Sequence, residues 1–287
     1  MENRSKITYT LLDGKKVSHE KLSILKEKVS SLNKQLGLAI IKIGSDTSSK
    51  IYVERKKKQA QELNYYCRVI SLDENITEDK VIEEINNLNQ DNTIDGIIIE
   101  LPLPKHLDRE RIINSIDESK DIDGLTQTNR MNLENNNPYL IPCTPLAILD
   151  LLKYYQINLE HKEITIIGKS ILVGAPLYNI LKNKHLKVNL LDSKTKNIEK
   201  YTTISDIIII AIGKKHFLKS NMIKKDAIII DVGINSENGA LYGDVDFNDV
   251  KEKCLYITPV PGGIGPMTIY EAMNNVYKAY MLKRKER

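Results

Sequence analysis

Long apolar runs are what this chain most lacks. The longest wholly apolar stretch, IIIIAI at residues 207–212, falls far short of the about 20 residues a membrane-crossing helix needs, so no membrane partner is expected. The first residues also lack the charged-then-apolar order of a secretory signal. Cysteine is scarce: Cys67, Cys143 and Cys254 are far apart and odd in number. They fit neither a disulfide framework nor a C-x-x-C metal site, and a reducing cytoplasm is the expected compartment. The five histidines form no H-x-x-x-H pair, so no structural metal is expected. Charge of one sign is missing as well. Forty-two basic and 38 acidic side chains leave +4, and no long basic block points to nucleic acid. The terminal KRKER reads as a solvated end, or as weak steering of an anionic ligand.

What is present is an ordinary globular composition, 41% hydrophobic and 28% charged over 287 residues, enough for one large domain or two modest ones. Apolar runs alternate with segments of helical period. LGLAIIKIG (36–44), CRVISL (67–72) and IDGIIIELPLP (94–104) read as strands. SSKIYVERKKKQAQEL (48–63) and TEDKVIEEINNLNQ (77–90) read as helices, the second with Thr77 as N-cap. The second half repeats the alternation. A helix at 144–155 precedes strands at 164–168, 187–192, 206–213 and 227–233, with a helix from about Gly174. ITPVPGGIGPMT (257–268) reads as a loop, and a last helix follows with Ile269, Ala272, Met273 and Val276 on one side. Strands alternating with helices imply crossovers and a mostly parallel sheet. The fold class is therefore α/β with two domains: a first with about three strands, and a doubly wound, Rossmann-type second. The connection near 120–145 holds ENNNP, read as a surface loop.

In ITIIGKSILVGAP (164–176), a strand runs through glycines into a helix, the context of a phosphate-binding turn. Gly168 lets the chain turn sharply, Ser170 offers a hydroxyl and an N–H, and Gly174 permits close packing at a helix N-terminus that favours an anion. An ordinary strand-to-helix turn has the same look. The next strand adds weight, because it ends in Asp192, where an acid can hydrogen-bond the adenosine ribose hydroxyls. Gly213 and Gly233 end two further strands at the same sheet edge. Together these features point to a dinucleotide.

In the first half, Tyr52 and Lys56 lie four apart on a helix and share a face. A surface tyrosine beside a basic run is the plain alternative. Glu100 ends an apolar strand just before a proline loop, which marks either a site or an exposed strand-end charge. Asp121 and Asp123 precede Gly124 and are further candidates, with turn chemistry as the plain alternative for both.

Together IYVERK, DGIIIELPLP, KDIDG, PCTP, GKSILVGAP and ITPVPGGIGPMT resemble the motifs of the bifunctional methylenetetrahydrofolate dehydrogenase/cyclohydrolases, in the family's order and over nearly the whole chain. The resemblance implies a folate-binding catalytic domain of residues 1–143 and 270–287 and a dinucleotide-binding domain of residues 144–269. It implies a cleft for the folate, a final helix returning to the first domain, and a homodimer. Asp123 matches the family's pterin-binding aspartate, Tyr52 would border the folate, and Lys56 would act in the hydrolytic step. Leu101, Pro261, Gly262 and Gly263 would shape the folate site. Gly168, Lys169, Ser170, Gly174, Asp192, Ser193, Gly213, Gly233 and Ile234 would hold NAD or NADP.

Two positions depart from the family pattern. Glu100 stands where glutamine is usual. A carboxylate there would pair with Lys56 and hold it as ammonium, a poorer base, so the hydrolase step is expected to weaken while the dehydrogenase persists; Glu100 acting as the base is the alternative. Ala175 stands where many members place a cation, and Asp192 adds a negative charge, so NAD is expected over NADP. The competing readings are a shikimate-type dehydrogenase of similar layout and a non-catalytic protein that kept the fold.

Overall fold

The structure is a computed structural model that describes residues 9–44 and 47–285. Along the chain run strands β1 (Thr10–Leu11), β2 (Gly37–Ile43), β3 (Tyr66–Leu72), β4 (Gly96–Ile99), β5 (Ile164–Ile167), β6 (Val188–Leu191), β7 (Ile207–Ile210), β8 (Ala227–Asp231), β9 (Asn235–Glu237), β10 (Ala240–Tyr242) and β11 (Cys254–Ile257). They divide between two compact units. One comprises residues 20–143 and the chain from Thr268 onward; the other comprises residues 144–267 and the N-terminal segment up to His19.

The unit containing residues 20–143 holds three parallel strands in the order β3-β2-β4. GIII is wholly apolar and GLAIIKI is apolar but for the partly buried Lys42, and all of β4 is buried, as suits strands covered on both faces. The helix Glu78–Gln90 turns Val81, Ile85 and Leu88 inward, and these meet Ile41, Ile97 and Ile99 in one core. Thr77 stands at its N-cap, but its side chain makes no capping hydrogen bond. Glu78 and Asp79 in the first turn suit the helix dipole instead.

A buried lysine closes the other end of this helix. Lys120 Nζ donates to the carbonyls of Leu88 (2.8 Å), Asn89 (2.7 Å) and Asp91 (2.8 Å), groups that a helix end leaves in need of partners. Lys120→Met keeps the apolar stem and removes all three bonds. A loss of about 2–3 kcal/mol is expected in denaturant unfolding; a loss under about 0.5 kcal/mol would show that water satisfies the carbonyls equally well.

The other unit holds a parallel sheet in the order β1-β11-β8-β7-β5-β6, with an antiparallel β9–β10 hairpin. The runs ITII, IIII and AIIID of β5, β7 and β8 are wholly buried. Because β5 lies between β6 and β7, the chain order reverses there. Open α/β sheets bind ligands at such a switch point, beyond the carboxyl ends of the strands.

The structure adds several features that the sequence reading lacked. Residues 9–19 cluster with residues 144–267, because β1 pairs in parallel with β11 and Leu12 N donates to Ile257 O at 2.8 Å. The stretch read as a loop to residue 268 becomes helical at the start of Ile264–Lys285. Pro266 falls in the first turn, where its missing N–H costs no bond, and Ile264 and Met267 are buried, as are Ile269, Ala272, Met273 and Val276. The connection near 120–145 contains the helix Gln127–Glu134, capped by Thr126 Oγ1, which accepts from Asn129 N, and its ENNNP stretch leaves that helix as a largely exposed turn, as read. Among the described residues no helix is long and apolar enough to cross a membrane, and no His, Cys, Asp and Glu group could hold a metal ion.

Candidate active site

The unit that contains residues 20–143 gathers the charged residues singled out above. The helix Thr47–Glu62 buries Val53, Lys56 and Ala60 at three- and four-residue spacing, which is one helix face. Of the basic run 55–58, Lys56 alone lies on that buried stripe. β4 ends at Ile99, and Glu100 N donates to Ile41 O at 2.9 Å, so the central strand fixes where Glu100 stands. Lys56 Nζ donates to Glu100 Oε1 at 2.5 Å, with residue exposures of 8% and 9%. Burial alone would lower the Lys56 pKa, but the Glu100 and Asp123 charges and the bond to Glu100 outweigh it and raise it. Tyr52 is half-buried one turn earlier; burial pushes its phenol up, against the neighbouring cations of Arg55 and Lys56.

The KDIDG turn separates its two aspartates. Asp121 is absorbed by structure: Oδ2 accepts from Thr126 N (2.8 Å) and Asn129 Nδ2 (2.9 Å). Asp123 follows, on a turn whose Gly124 has φ +64° and approaches Pro142 too closely for a side chain. Burial pushes the Asp123 carboxyl up, and the Lys56 cation opposes that shift. Burial, followed by the Asp123 charge, likewise pushes the Cys143 thiol well up. Asn275, fully buried on the last helix, donates to Ile122 O and Ile141 O at 2.8 Å each and pins the turn. Leu101, half-buried, directly follows Glu100. Lys56, Glu100, Asp123 and Tyr52 thus share one electrostatic neighbourhood. Cys143 and Asn275 were not singled out by sequence, and no local pattern marks them.

The other unit brings its predicted residues to one edge of the parallel sheet. Gly168 follows β5 with φ +112°, and a Cβ there would lie 2.3 Å from Ala211 O. A Cβ on Gly174 would lie 1.7 Å from Gly168 O, so the helix Gly174–Asn183 starts hard against the turn. Ser170 Oγ accepts from Val173 N at 3.2 Å, and Lys169 is exposed. Asp192 follows β6, with the exposed Ser193 after it. Its Oδ1 accepts from Lys194 N (2.9 Å) and Thr195 Oγ1 (3.2 Å). The Lys194 amide, then the Thr195 hydroxyl and the Lys169 charge, hold its carboxyl below the usual value. Gly213 follows β7 and Gly233 follows β8, with Ile234 exposed beyond it. Pro261, Gly262 and Gly263 follow β11; Lys15 N donates to Gly262 O, and a Cβ on Gly14 would meet Gly263 O at 1.9 Å. A turn bounded by Gly168 and Gly174 at the switch point, leading into a helix N-terminus, fits a dinucleotide pyrophosphate. Two buried acids at this edge, Asp231 and Asp244, were also missed, although Asp231 ends an apolar strand much as Glu100 does.

Comparison with known proteins finds two domains of one family along the chain. The tetrahydrofolate dehydrogenase/cyclohydrolase catalytic domain matches residues 12–123, and the NAD(P)-binding domain of the same family matches residues 142–284. The bifunctional protein FolD of Mycoplasma mycoides is 43% identical, covering 96% of this chain and 98% of that protein. FolD of Thermodesulfovibrio yellowstonii is 44% identical at the same coverage. The crystal structure of the Campylobacter jejuni FolD methylenetetrahydrofolate dehydrogenase/cyclohydrolase superposes with a TM-score of 0.92 at 42% identity, over 96% of this chain and 99% of that one. The Trypanosoma brucei enzyme, solved with NADP and an inhibitor, gives 0.92 at 29% identity, over 97% and 99%. This chain belongs to the tetrahydrofolate dehydrogenase/cyclohydrolase family.

Proposed function

We propose that this chain oxidises methylenetetrahydrofolate to methenyltetrahydrofolate with a nicotinamide dinucleotide and hydrolyses the product to formyltetrahydrofolate. The observation that carries the chemistry is the buried Lys56–Glu100 pair beside Asp123, because perturbed buried charges cluster at functional sites. The family match over both domains does not favour the shikimate-type and non-catalytic alternatives.

Oxidation removes a hydride from the one-carbon bridge and leaves a cation delocalised over two nitrogens. No strong base is needed; the demand is for positioning. Asp123 accepts hydrogen bonds from the pterin amino and ring N–H groups, Tyr52 borders the ring system, and Leu101 shapes the folate wall beside them. When bound, the dinucleotide supplies the hydride acceptor. Gly168, Ser170 and Gly174 hold its pyrophosphate, with Lys169, Ser193, Gly213, Gly233 and Ile234 around it. In hydrolysis, water adds to the methenyl carbon, a proton leaves that water, and a carbon–nitrogen bond opens with protonation of the nitrogen. Lys56 in its amine form takes the water proton, and Glu100 opposes this by favouring the ammonium. The direct test supplies methylenetetrahydrofolate with NAD or NADP and follows cofactor reduction by absorbance. Reduction is expected; none with either dinucleotide would reject the reading.

Within that reading NAD is preferred. The hydrogen bonds that Asp192 accepts from Lys194 and Thr195 both end on Oδ1, which leaves Oδ2 for a ribose hydroxyl, and a carboxylate there repels the extra phosphate of NADP. Ala175 supplies no cation to offset it. The kcat/KM for NAD should exceed that for NADP, and Asp192→Ser should move the ratio toward NADP. An NADP preference above about tenfold in the unaltered chain, about 1.4 kcal/mol, would overturn the charge argument. A cytoplasmic homodimer belongs to the same reading, and sedimentation of the purified chain as a monomer would remove the dimer from it.

A further inference from the structure

Two buried carboxylates at the strand ends of the second unit have no part in the chemistry above. Asp231 ends β8, Asp244 follows β10, and they are 3% and 0% exposed. Asp244 Oδ2 accepts from Ile212 N (2.7 Å) and Gly213 N (3.0 Å); Oδ1 accepts from Lys214 N (2.7 Å) and Asn235 Nδ2 (3.0 Å). Three successive backbone amides converging on one anion form a nest, the shape that elsewhere cradles a phosphate. Here the protein fills it with its own carboxylate. Gly213 bends the nest with φ +64°, and Gly233 makes room for the acid, because a Cβ there would stand 2.1 Å from Asp244 Cγ. The absence of a side chain at Gly233 therefore serves Asp244.

Asp231 extends the brace. It accepts from Gly233 N (3.0 Å), Asp244 N (3.0 Å) and Val245 N (2.9 Å), and its own N donates to Thr258 Oγ1 at 2.7 Å. Burial pushes its carboxyl up to about 7 against those three amides, which eases the repulsion between two buried acids. These bonds join the carboxyl ends of β7, β8 and β11, consecutive strands of the sheet. Beside them stands the Gly168 turn, in contact with Ala211 O.

We propose that Asp244, braced by Asp231, is a positioning residue for the dinucleotide: it fixes the 212–214 loop that walls the crevice next to β5. A loop already held in place loses little freedom when a ligand arrives, so its order is worth affinity. This rests on the dinucleotide reading given above. Asp244→Asn keeps the size but sets an amide NH₂ against N–H donors. The expected result is a rise of about tenfold or more in dinucleotide KM, with kcat at saturation within about threefold and a native circular-dichroism spectrum. The dinucleotide Kd, measured by calorimetry without folate, should rise in parallel. If that variant cannot be recovered folded, Asn235→Ala removes one donor from Asp244 and should raise Kd about threefold. A folded Asp244→Asn with Kd and KM within about twofold of the unaltered chain overturns the proposal. If only Asn235→Ala is obtained, an unchanged Kd does so. Turnover of methylenetetrahydrofolate by the unaltered chain tests the functional reading separately, because calorimetry decides the positioning role even if that substrate is refused. Failure of the unaltered chain to bind either dinucleotide overturns the positioning role outright.

Discussion

Replacing Lys56 by methionine should lower methenyltetrahydrofolate hydrolysis by at least about 10²-fold, the usual worth of a positioned acid or base, while oxidation of methylenetetrahydrofolate falls far less. The asymmetry follows from the chemistry. Hydride loss produces a delocalised cation without proton transfer, whereas water attack must shed a proton. Methionine preserves the buried stem between Val53 and Ala60 but leaves Glu100 without its ion-pair partner, which costs stability. The double variant Lys56→Met, Glu100→Gln removes that cost, so thermal unfolding of the two variants separates lost folding from lost chemistry. Equal losses in both activities from a fully folded Lys56→Met protein would show that the lysine only supports the architecture.

Glu100→Gln should act in the opposite sense on the same step. The Glu100 charge and its bond to Lys56 raise the lysine pKa against burial, which lowers it. Removing that charge leaves burial opposed mainly by the Asp123 charge, so the pKa falls and more free amine exists at neutral pH. Each unit of that fall is about tenfold in the base form. Hydrolysis by the unaltered chain should therefore be slow near neutrality and climb as pH rises toward the raised lysine pKa. The glutamine variant should be about tenfold faster, with its climb displaced to lower pH. A pH–rate series on both proteins decides the matter. Rapid hydrolysis by the unaltered chain with no gain in the variant would refute the ion-pair argument, and a large loss in the variant would identify Glu100 itself as the base.

The parts of this account that could be read from sequence share a physical cause. IIIIAI is an uninterrupted apolar run and ITIIG is broken only by Thr165, a pattern that suits strands covered on both faces, so the parallel sheets and the Gly168 turn were legible. The helical spacing of Tyr52 and Lys56 gave a shared face. The inward turn of Lys56 depended on Val53 and Ala60 lying on that face too. Turn chemistry could not separate Asp121 from Asp123. The separation comes from Thr126 and Asn129, which engage Asp121 alone of the two. β1 was illegible because two residues carry no period, and only pairing with β11 defines them. Asp244 was hidden for a related reason: its three amide donors lie about 30 residues upstream, so no local pattern announces it.

The most direct test of the central claim uses methylenetetrahydrofolate deuterated at the one-carbon bridge, with the purified chain and oxidised dinucleotide. Direct hydride transfer places deuterium in the nicotinamide ring of the reduced product, detectable by mass spectrometry. Dinucleotide reduced without deuterium, or no reduction of either NAD or NADP, would contradict it.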